Sequence, residues 1–373
     1  MTSRIFAAHA GGDDWRASLD RAFEGLGEAG RRARLGFCYV TDTFSGDASA
    51  LPAELRARSG IEHWIGTVGA GVCADGTEYF DTPAVSLMTM DLPADGFRIF
   101  RARAADLSDL DPVLEAWIER AGCGFGVVHG DPMNPHLESM LSNLNALAGG
   151  VFFVGGLSSS RRQHFQIADG HFENGVSGVC FGAGVAVTTR LTQGCSPIGR
   201  RHAVTRAAGS IISELDGRPA LEVFAEEIAA IGGIRPHQLG GYVYVALPVK
   251  GSDTGDYVVR NLIGVDPDNS ALAVGDTLDD AEYLMFCKRD AEAAEEDLNG
   301  MLDRITEGVA SAPRGAVYFS CVARGPNLFG PASREMRLIQ SRIGALPLTG
   351  FFGNGEISSH RLYGYTGVLT LFL

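Results

Sequence analysis

Hydrophobic and polar positions repeat one order three times along the chain: an apolar run of strand length, an amphipathic helix, a second apolar run ending in glycines, and two further strands. In the first copy, residues 36–40 form the expected strand and 51–58 a short helix. Residues 64–68 form a second strand ending at Gly69-Ala70-Gly71, with 77–80 and 84–90 as the hairpin. In the second copy, residues 125–129 precede a helix whose Leu137, Met140, Leu141, Leu144 and Leu147 recur at the spacing of one helical face. Residues 151–154, the Gly155-Gly156 turn and strands around 165–168 and 178–188 complete it. In the third, residues 316–321 lead to a helix with Met336, Ile339 and Ile343 in phase, then 348–352, the turn Gly353-Asn354-Gly355, and strands at 361–363 and 366–372. The shared order predicts structural repeats in which Gly69, Gly156 and Gly353 occupy equivalent points.

Other segments fill the gaps. Asp13 is placed to cap a helix carrying Trp15, Leu19, Ala22, Phe23 and Leu26, and Val113, Leu114, Trp117 and Ile118 form a short stripe after Pro112. Residues 219–231 read as a helix ended by Gly232-Gly233, a hinge between two halves, followed by strands at 242–248, 257–264 and 281–288 and an acidic helix at 290–305. Helices that alternate with hairpins predict an α+β fold of repeated strand-helix-strand-hairpin units, with mixed sheets covered by helices. Two such units stacking their bare sheet faces would give a layered αββα arrangement. The expected domains are 1–218 and 219–373.

Composition narrows the class of partner. The chain has 373 residues, 31 Lys+Arg against 45 Asp+Glu, and a formal net charge of −14, so its surface repels nucleic acid and anionic membranes. Its 49 glycines follow no Gly-X-Y period, which leaves turns and close backbone approaches as their use. The seven cysteines (Cys38, Cys73, Cys123, Cys180, Cys195, Cys287, Cys321) are odd in number and contain no CxxC, the usage expected of reduced, structural thiols. No run approaches the ~18 apolar residues of a spanning helix, and no leader segment is apparent, so the expectation is a cytoplasmic protein without membrane insertion.

Most chemical motifs fail on context. Gly66-x-x-Gly69-x-Gly71 runs into a hairpin and Gly124-x-Gly126-x-x-x-Gly130 straddles a strand start, whereas a dinucleotide loop must open a helix. Gly194-Cys195-Ser196-Pro197 lacks the second glycine of a nucleophile elbow and reads as a turn. The nearest pair of histidines, His129 and His136, flanks a loop without further ligands at metal spacing, so no metal site is assigned. The third repeat is richer. Parallel strands at 316–321 and 348–352 would bring the loops Cys321-Val322-Ala323-Arg324 and Gly353-Asn354-Gly355-Glu356 to one sheet end. Cys321, Arg324, Asn354 and Glu356 are thereby expected to line one opening. Arg324 is suited to a carboxylate and Glu356 to an ammonium, while Gly353 and Gly355 let backbone amides approach a ligand. The competing reading is a structural Arg324–Glu356 ion pair.

These residues also carry a resemblance. Gly350-Phe351-Phe352-Gly353-Asn354-Gly355-Glu356-Ile357 with Tyr363-Gly364-Tyr365-Thr366-Gly367, Phe319-Ser320-Cys321 with Arg324-Gly325, and Arg289-Asp290-Ala291-Glu292 resemble the FIST C domain. Gly155-Gly156-Leu157-Ser158, Val204-Thr205-Arg206 and Leu215-Asp216-Gly217-Arg218 are similar to the FIST N domain and its exit. The resemblance implies a sensory, signal-transduction protein that binds a small ligand such as an amino acid, with output through a separate signalling protein. The family has no established catalytic reaction and some members are proposed to act as haem-based gas sensors; no catalytic residue and no cofactor is assigned here. Two alternatives stay open: a haem-based gas sensor, needing an axial His or Cys in an apolar pocket, and an enzyme using Cys321, needing a base beside it.

Overall fold

A computed structural model describes residues 4–231, 243–249, 257–278, 281–307, 309 and 311–373. Two compact units result: Met1–Thr192 with Asp297–Leu373, and Gln193–Glu296. Unit one holds the three repeats. In each, a first strand (Leu35–Thr41, Phe125–Gly130, Gly315–Cys321) lies parallel to a second (His63–Gly69, Phe152–Leu157, Leu348–Gly353) across a helical crossover. A returning strand (Ala84–Met90, Val176–Phe181, Thr366–Phe372) pairs antiparallel on the other side of the first. An edge strand (Ile5–Gly11, Phe97–Ala102, Val187–Gln193) closes each outer flank.

The expected 77–80/84–90 hairpin does not form, since 84–90 pairs with Leu35–Val40, and a shorter hairpin in each repeat leaves its own sheet. Gly71–Ala74 and Thr77–Phe80 of the first repeat extend the third repeat's sheet. Gln166–Ala168 and His171–Phe172 of the second extend the first, and Glu356–Ser358 and Arg361–Tyr363 of the third extend the second. The exchange is cyclic, and each of the three six-stranded sheets is completed by a neighbour. One face of all three sheets builds a common core around Phe37, Tyr39, Val127, Val154, Phe319 and Phe351. The mixed α+β sheets are as expected; three of them share the centre, in place of the two-sheet αββα layering that the sequence left open. Helices cover the outer faces: Trp15–Arg31 and Leu51–Ser59 seat Leu19, Phe23 and Leu55 on the first sheet, and Val113–Ala121 and Leu137–Leu147 seat Trp117 and Met140 on the second.

Several expectations shift by small amounts. Asp14, not Asp13, caps the first helix, accepting from the amides of Arg16 and Ala17. The run 178–188 is broken between Phe181 and Val187, where the chain passes to another sheet. The equivalent glycines are Gly66, Gly155 and Gly350, the register partners of Cys38, Val128 and Tyr318. A Cβ at any of them would lie 1.7–1.8 Å from the partner's carbonyl oxygen. Counting three residues on makes Ser158, and not Gly156, the residue equivalent to Gly69 and Gly353.

Unit two is an antiparallel sheet in the order Cys195–Ala208, Tyr283–Arg289, Val243–Pro248, Tyr257–Asp266, Ala271–Val274, Ile211–Leu215, Arg218–Pro219. Helix Ala220–Ile231 packs Val223 and Phe224 against Val245 and Phe286. The expected turn at Gly194–Pro197 is instead the start of the long strand Cys195–Ala208. The expected boundary at 218/219 lies inside this unit, and the Gly232-Gly233 hinge lies outside the described residues. Among the described residues no helix is long and apolar enough to cross a membrane.

Candidate functional site

The parallel pairing of Gly315–Cys321 with Leu348–Gly353 sets Cys321 opposite Gly353, so both candidate loops leave the same sheet end. The first folds back at once: the Val322 amide donates to the Gly353 carbonyl at 2.9 Å, and that of Arg324 to the Cys321 carbonyl at 2.8 Å. Gly325 then takes a φ of 53°, with the Phe352 ring where a Cβ would stand. This turn directs Arg324 inward, where its side chain is fully buried and its guanidinium lies 4.9 Å from the centre of the Phe329 ring.

Arg324 pairs with Glu335, not with Glu356. Its Nε donates to Glu335 Oε1 at 2.8 Å, and Nη2 stands 2.8 Å from the same oxygen but off the hydrogen-bonding direction. The crossover helix Arg334–Ile343 begins ten residues after the loop and delivers Glu335 in its first turn. Glu335 also accepts from the Tyr318 hydroxyl at 2.6 Å, the Gly325 amide at 2.8 Å and, more weakly, the Ser320 hydroxyl at 3.3 Å. Burial opposes the Arg324 charge, and the attraction of Glu335 more than offsets it, holding the guanidinium ionised.

Glu356 lies opposite Gly156 of the second repeat and is completely buried. Its Oε2 accepts from the Thr366 hydroxyl at 2.7 Å and the Thr366 amide at 3.2 Å, while Oε1 has no partner. Burial pushes its carboxyl up to about 8; the Thr366 bonds and Arg324 offset part of this, and Glu335 adds to it. A third carboxyl, Glu78, arrives on the exchanged hairpin of the first repeat. Its Oε1 accepts from the Met336 amide at 3.0 Å, its Oε2 is unpartnered, and burial pushes it up to about 7, against the pull of that amide and with Glu335 adding to the rise.

Cys321 is buried, and desolvation followed by the Glu356 carboxyl lifts its thiol well above the ordinary range, outweighing Arg324. A thiol kept protonated in this way is a poor nucleophile. Asn354 is exposed, with its amide on the Leu157 carbonyl at 3.1 Å. The space beside Gly353 and Gly355 is taken by Leu157 and Leu362, so the second repeat and the third repeat's own hairpin, not an opening, lie against these glycines. His129 points to the central core, its Nε2 3.0 Å from the Tyr39 hydroxyl and its ring among Tyr39, Phe319 and Phe351. Burial pushes it down to about 3, so it is neutral. His136 is exposed at a helix start and is not brought to it.

Glu78, Glu335 and Tyr318 were not among the expected site residues. Glu335 left a signal: it precedes Ile339 by four positions on a helix whose apolar stripe buries Met336 and Ile339, so an acid sits on the buried face. Ser159 was also missed. It joins the strand ends of all three repeats, its hydroxyl accepting from the Ala70 amide at 2.7 Å and donating to the Phe352 carbonyl.

Residues 34–218 match the FIST N domain and residues 220–359 the FIST C domain. An uncharacterized protein of Mycobacterium tuberculosis (strain ATCC 25618 / H37Rv) is 30% identical, over 96% of this chain and 96% of its own. An uncharacterized protein of Mycobacterium bovis (strain ATCC BAA-935 / AF2122/97) is 28% identical over 83% and 82%. Among solved structures, a cyanuric acid hydrolase from A. caulinodans aligns over 100% of this chain and 98% of its own, with a TM-score of 0.39 and 8% identity. Nothing about the chemistry of this chain follows from a likeness at that level.

Proposed function

Since the chain belongs to the FIST family, whose domains are associated with signal-transduction sensing, we propose that it senses a small polar metabolite at the buried charge cluster of the third repeat. The response passes to a separate signalling protein. One observation carries this reading: Arg324 Nη1, Glu356 Oε1 and Glu78 Oε2 are all buried without hydrogen-bond partners, grouped around Glu335. Each orphaned group costs roughly 1–3 kcal/mol, more when charged. A ligand that satisfies them recovers that cost. A zwitterion such as an amino acid suits the set, its carboxylate on Arg324 and its ammonium on Glu356. Cys321 lies beside Glu356 at this cluster, and the exposed Asn354 turn is the side from which a ligand enters.

The proposal includes no cofactor. The ring of His129 is packed on by three aromatic rings at centroid distances of 5.5–6.3 Å, which does not suit a haem iron bound at its nitrogen. A Soret band in the purified protein would reverse this choice.

The test is a thermal-shift screen of the full chain against amino acids and related metabolites, repeated on Glu356→Gln, which keeps side-chain shape. A ligand at a hundred times its Kd stabilises by about 2.7 kcal/mol. The expected result is a shift with the parent protein that Glu356→Gln loses while its apo form stays folded. An equal shift in both proteins, or none from the panel, overturns the reading.

A further inference from the structure

Arg324, Glu335 and Glu356 are each completely buried, so a ligand reaches them only if a segment covering them moves. The chain that runs from Arg324 to Glu335 is built for such a movement. Gly325–Asn327 forms one turn of 3-10 helix, and the Leu328 and Phe329 amides close it by donating to the Gly325 carbonyl at 3.2 and 2.8 Å. Phe329 then folds back over the site, buried, with its ring 4.9 Å from the Arg324 guanidinium. Gly330 to Ser333 belong to no strand or helix, and Pro331 and Ala332 are exposed. Four residues of this segment have a positive φ: Gly325 at 53°, Gly330 at 87°, Ala332 at 66° and Ser333 at 55°. The two glycines adopt it freely and bracket Phe329, as hinges would. Ala332 and Ser333 are held in the left-handed region one after the other, a strained state that persists only where neighbours impose it. The first repeat's exchanged hairpin imposes it. The Glu78 amide donates to the Ser333 hydroxyl at 2.9 Å, and Glu78 Oε1 accepts from the Met336 amide at 3.0 Å at the start of the helix that follows. The unpartnered Glu78 Oε2 faces Gly325, where a Cβ would stand 3.4 Å from it. One residue therefore both faces the cluster and latches the far end of the segment.

We propose that Gly325–Ser333 is a lid over the charge cluster, hinged at Gly325 and Gly330 and latched by Glu78. Its role as a gate for a ligand rests on the sensing site proposed above. Opening lifts Phe329 off Arg324 and admits the ligand beside the Asn354 turn, since both loops leave the same sheet end. Closing returns the Phe329 ring over the guanidinium and shuts out water. The strain in Ala332 and Ser333 is released on opening, so the lid opens locally at less cost than unfolding the sheets beneath it.

The experiment needs no ligand, which separates the lid from the sensing reading. The full chain is treated with phenylglyoxal, which modifies an arginine only when its guanidinium is reachable, at several urea concentrations below the unfolding transition, and the modified arginines are mapped by mass spectrometry. Arg324 should react in the parent at a rate nearly independent of urea, the mark of a local opening. Phe329→Ala, which uncovers the guanidinium, should raise that rate about tenfold or more. Ala332→Gly, which relieves the strain of the closed lid, should lower it about threefold or more. Arg32, 81% exposed, should react alike in all three proteins. The lid is overturned if Arg324 reacts only in step with global unfolding, or if either variant, folded by circular dichroism, leaves its rate unchanged. A metabolite screen without a shift, with Arg324 still modified through local opening, overturns the sensing reading and not the lid.

Discussion

Glu335 takes up the Arg324 charge within eleven residues of chain, and that local pairing leaves Glu356 to keep its proton. The consequence is a defined pH dependence. The folded carboxyl ionises at about 8 against an ordinary 4.5, so between those values the folded protein holds a proton that the unfolded chain has lost. Stability from this group is complete below pH 4.5 and is lost as pH rises toward 8. Glu78, at about 7, contributes in the same direction. Glu356→Gln, neutral throughout, should gain on the parent by a few kcal/mol as pH rises from 5 to 8, at about 1.4 kcal/mol per unit of pKa difference. Urea midpoints measured across that range check this, and identical pH slopes in both proteins would refute it. Arg324 and Glu356 are legible in the sequence as charges beside glycine turns. Their partners are not, because a residue such as Glu78 reaches the cluster only through strand pairing some 250 positions away in sequence.

Strand pairing is also where element-level reading succeeds and stops. The parallel strands and their crossover helices follow from apolar runs and helical phase. Edge strands such as Ile5–Gly11 do not stand out, because their half-buried pattern matches that of a solvated loop. The hairpin exchange is invisible for another reason: alternation fixes which face of a strand is buried and not which of three similar sheets receives it. Glycine marks the closest approach within each repeat. At Gly350 a Cβ would meet the Tyr318 carbonyl oxygen at 1.7 Å, and backbone cannot move aside as a side chain would. Gly350→Ala should therefore cost about 3 kcal/mol or more in denaturant unfolding. Gly124→Ala, where a Cβ meets nothing within 4 Å, should stay within about 0.5 kcal/mol. Equal costs would show that this packing does not require glycine.

On the scale of the whole molecule, the cyclic exchange makes unit one a single cooperative body, since each of its sheets contains strands from two repeats. Unit two has its own core around Val223, Phe224, Val245 and Phe286, built without any strand from the repeats. The sequence reads a hinge after residues 219–231 and two successive domains, because periodicity does not tell which strands pair and so hides that the chain returns to unit one. The chain enters and leaves it at adjacent points. Cys195 and Arg289 are antiparallel register partners, and just outside them the Thr192 hydroxyl donates to Asp297 at 2.7 Å across 105 positions of chain. Joining such neighbours needs only a short loop, and the closure entropy of a few residues is small. Replacing residues 195–289 with a four-residue Gly/Ser linker should therefore leave unit one folded, with helix Ala291–Thr306 intact and one cooperative unfolding transition. Circular dichroism and urea denaturation of the shortened chain test this directly. Loss of the cooperative transition would mean that the three-sheet core depends on residues 195–289 for its folding, and that the division into two units does not describe how the chain is stabilised.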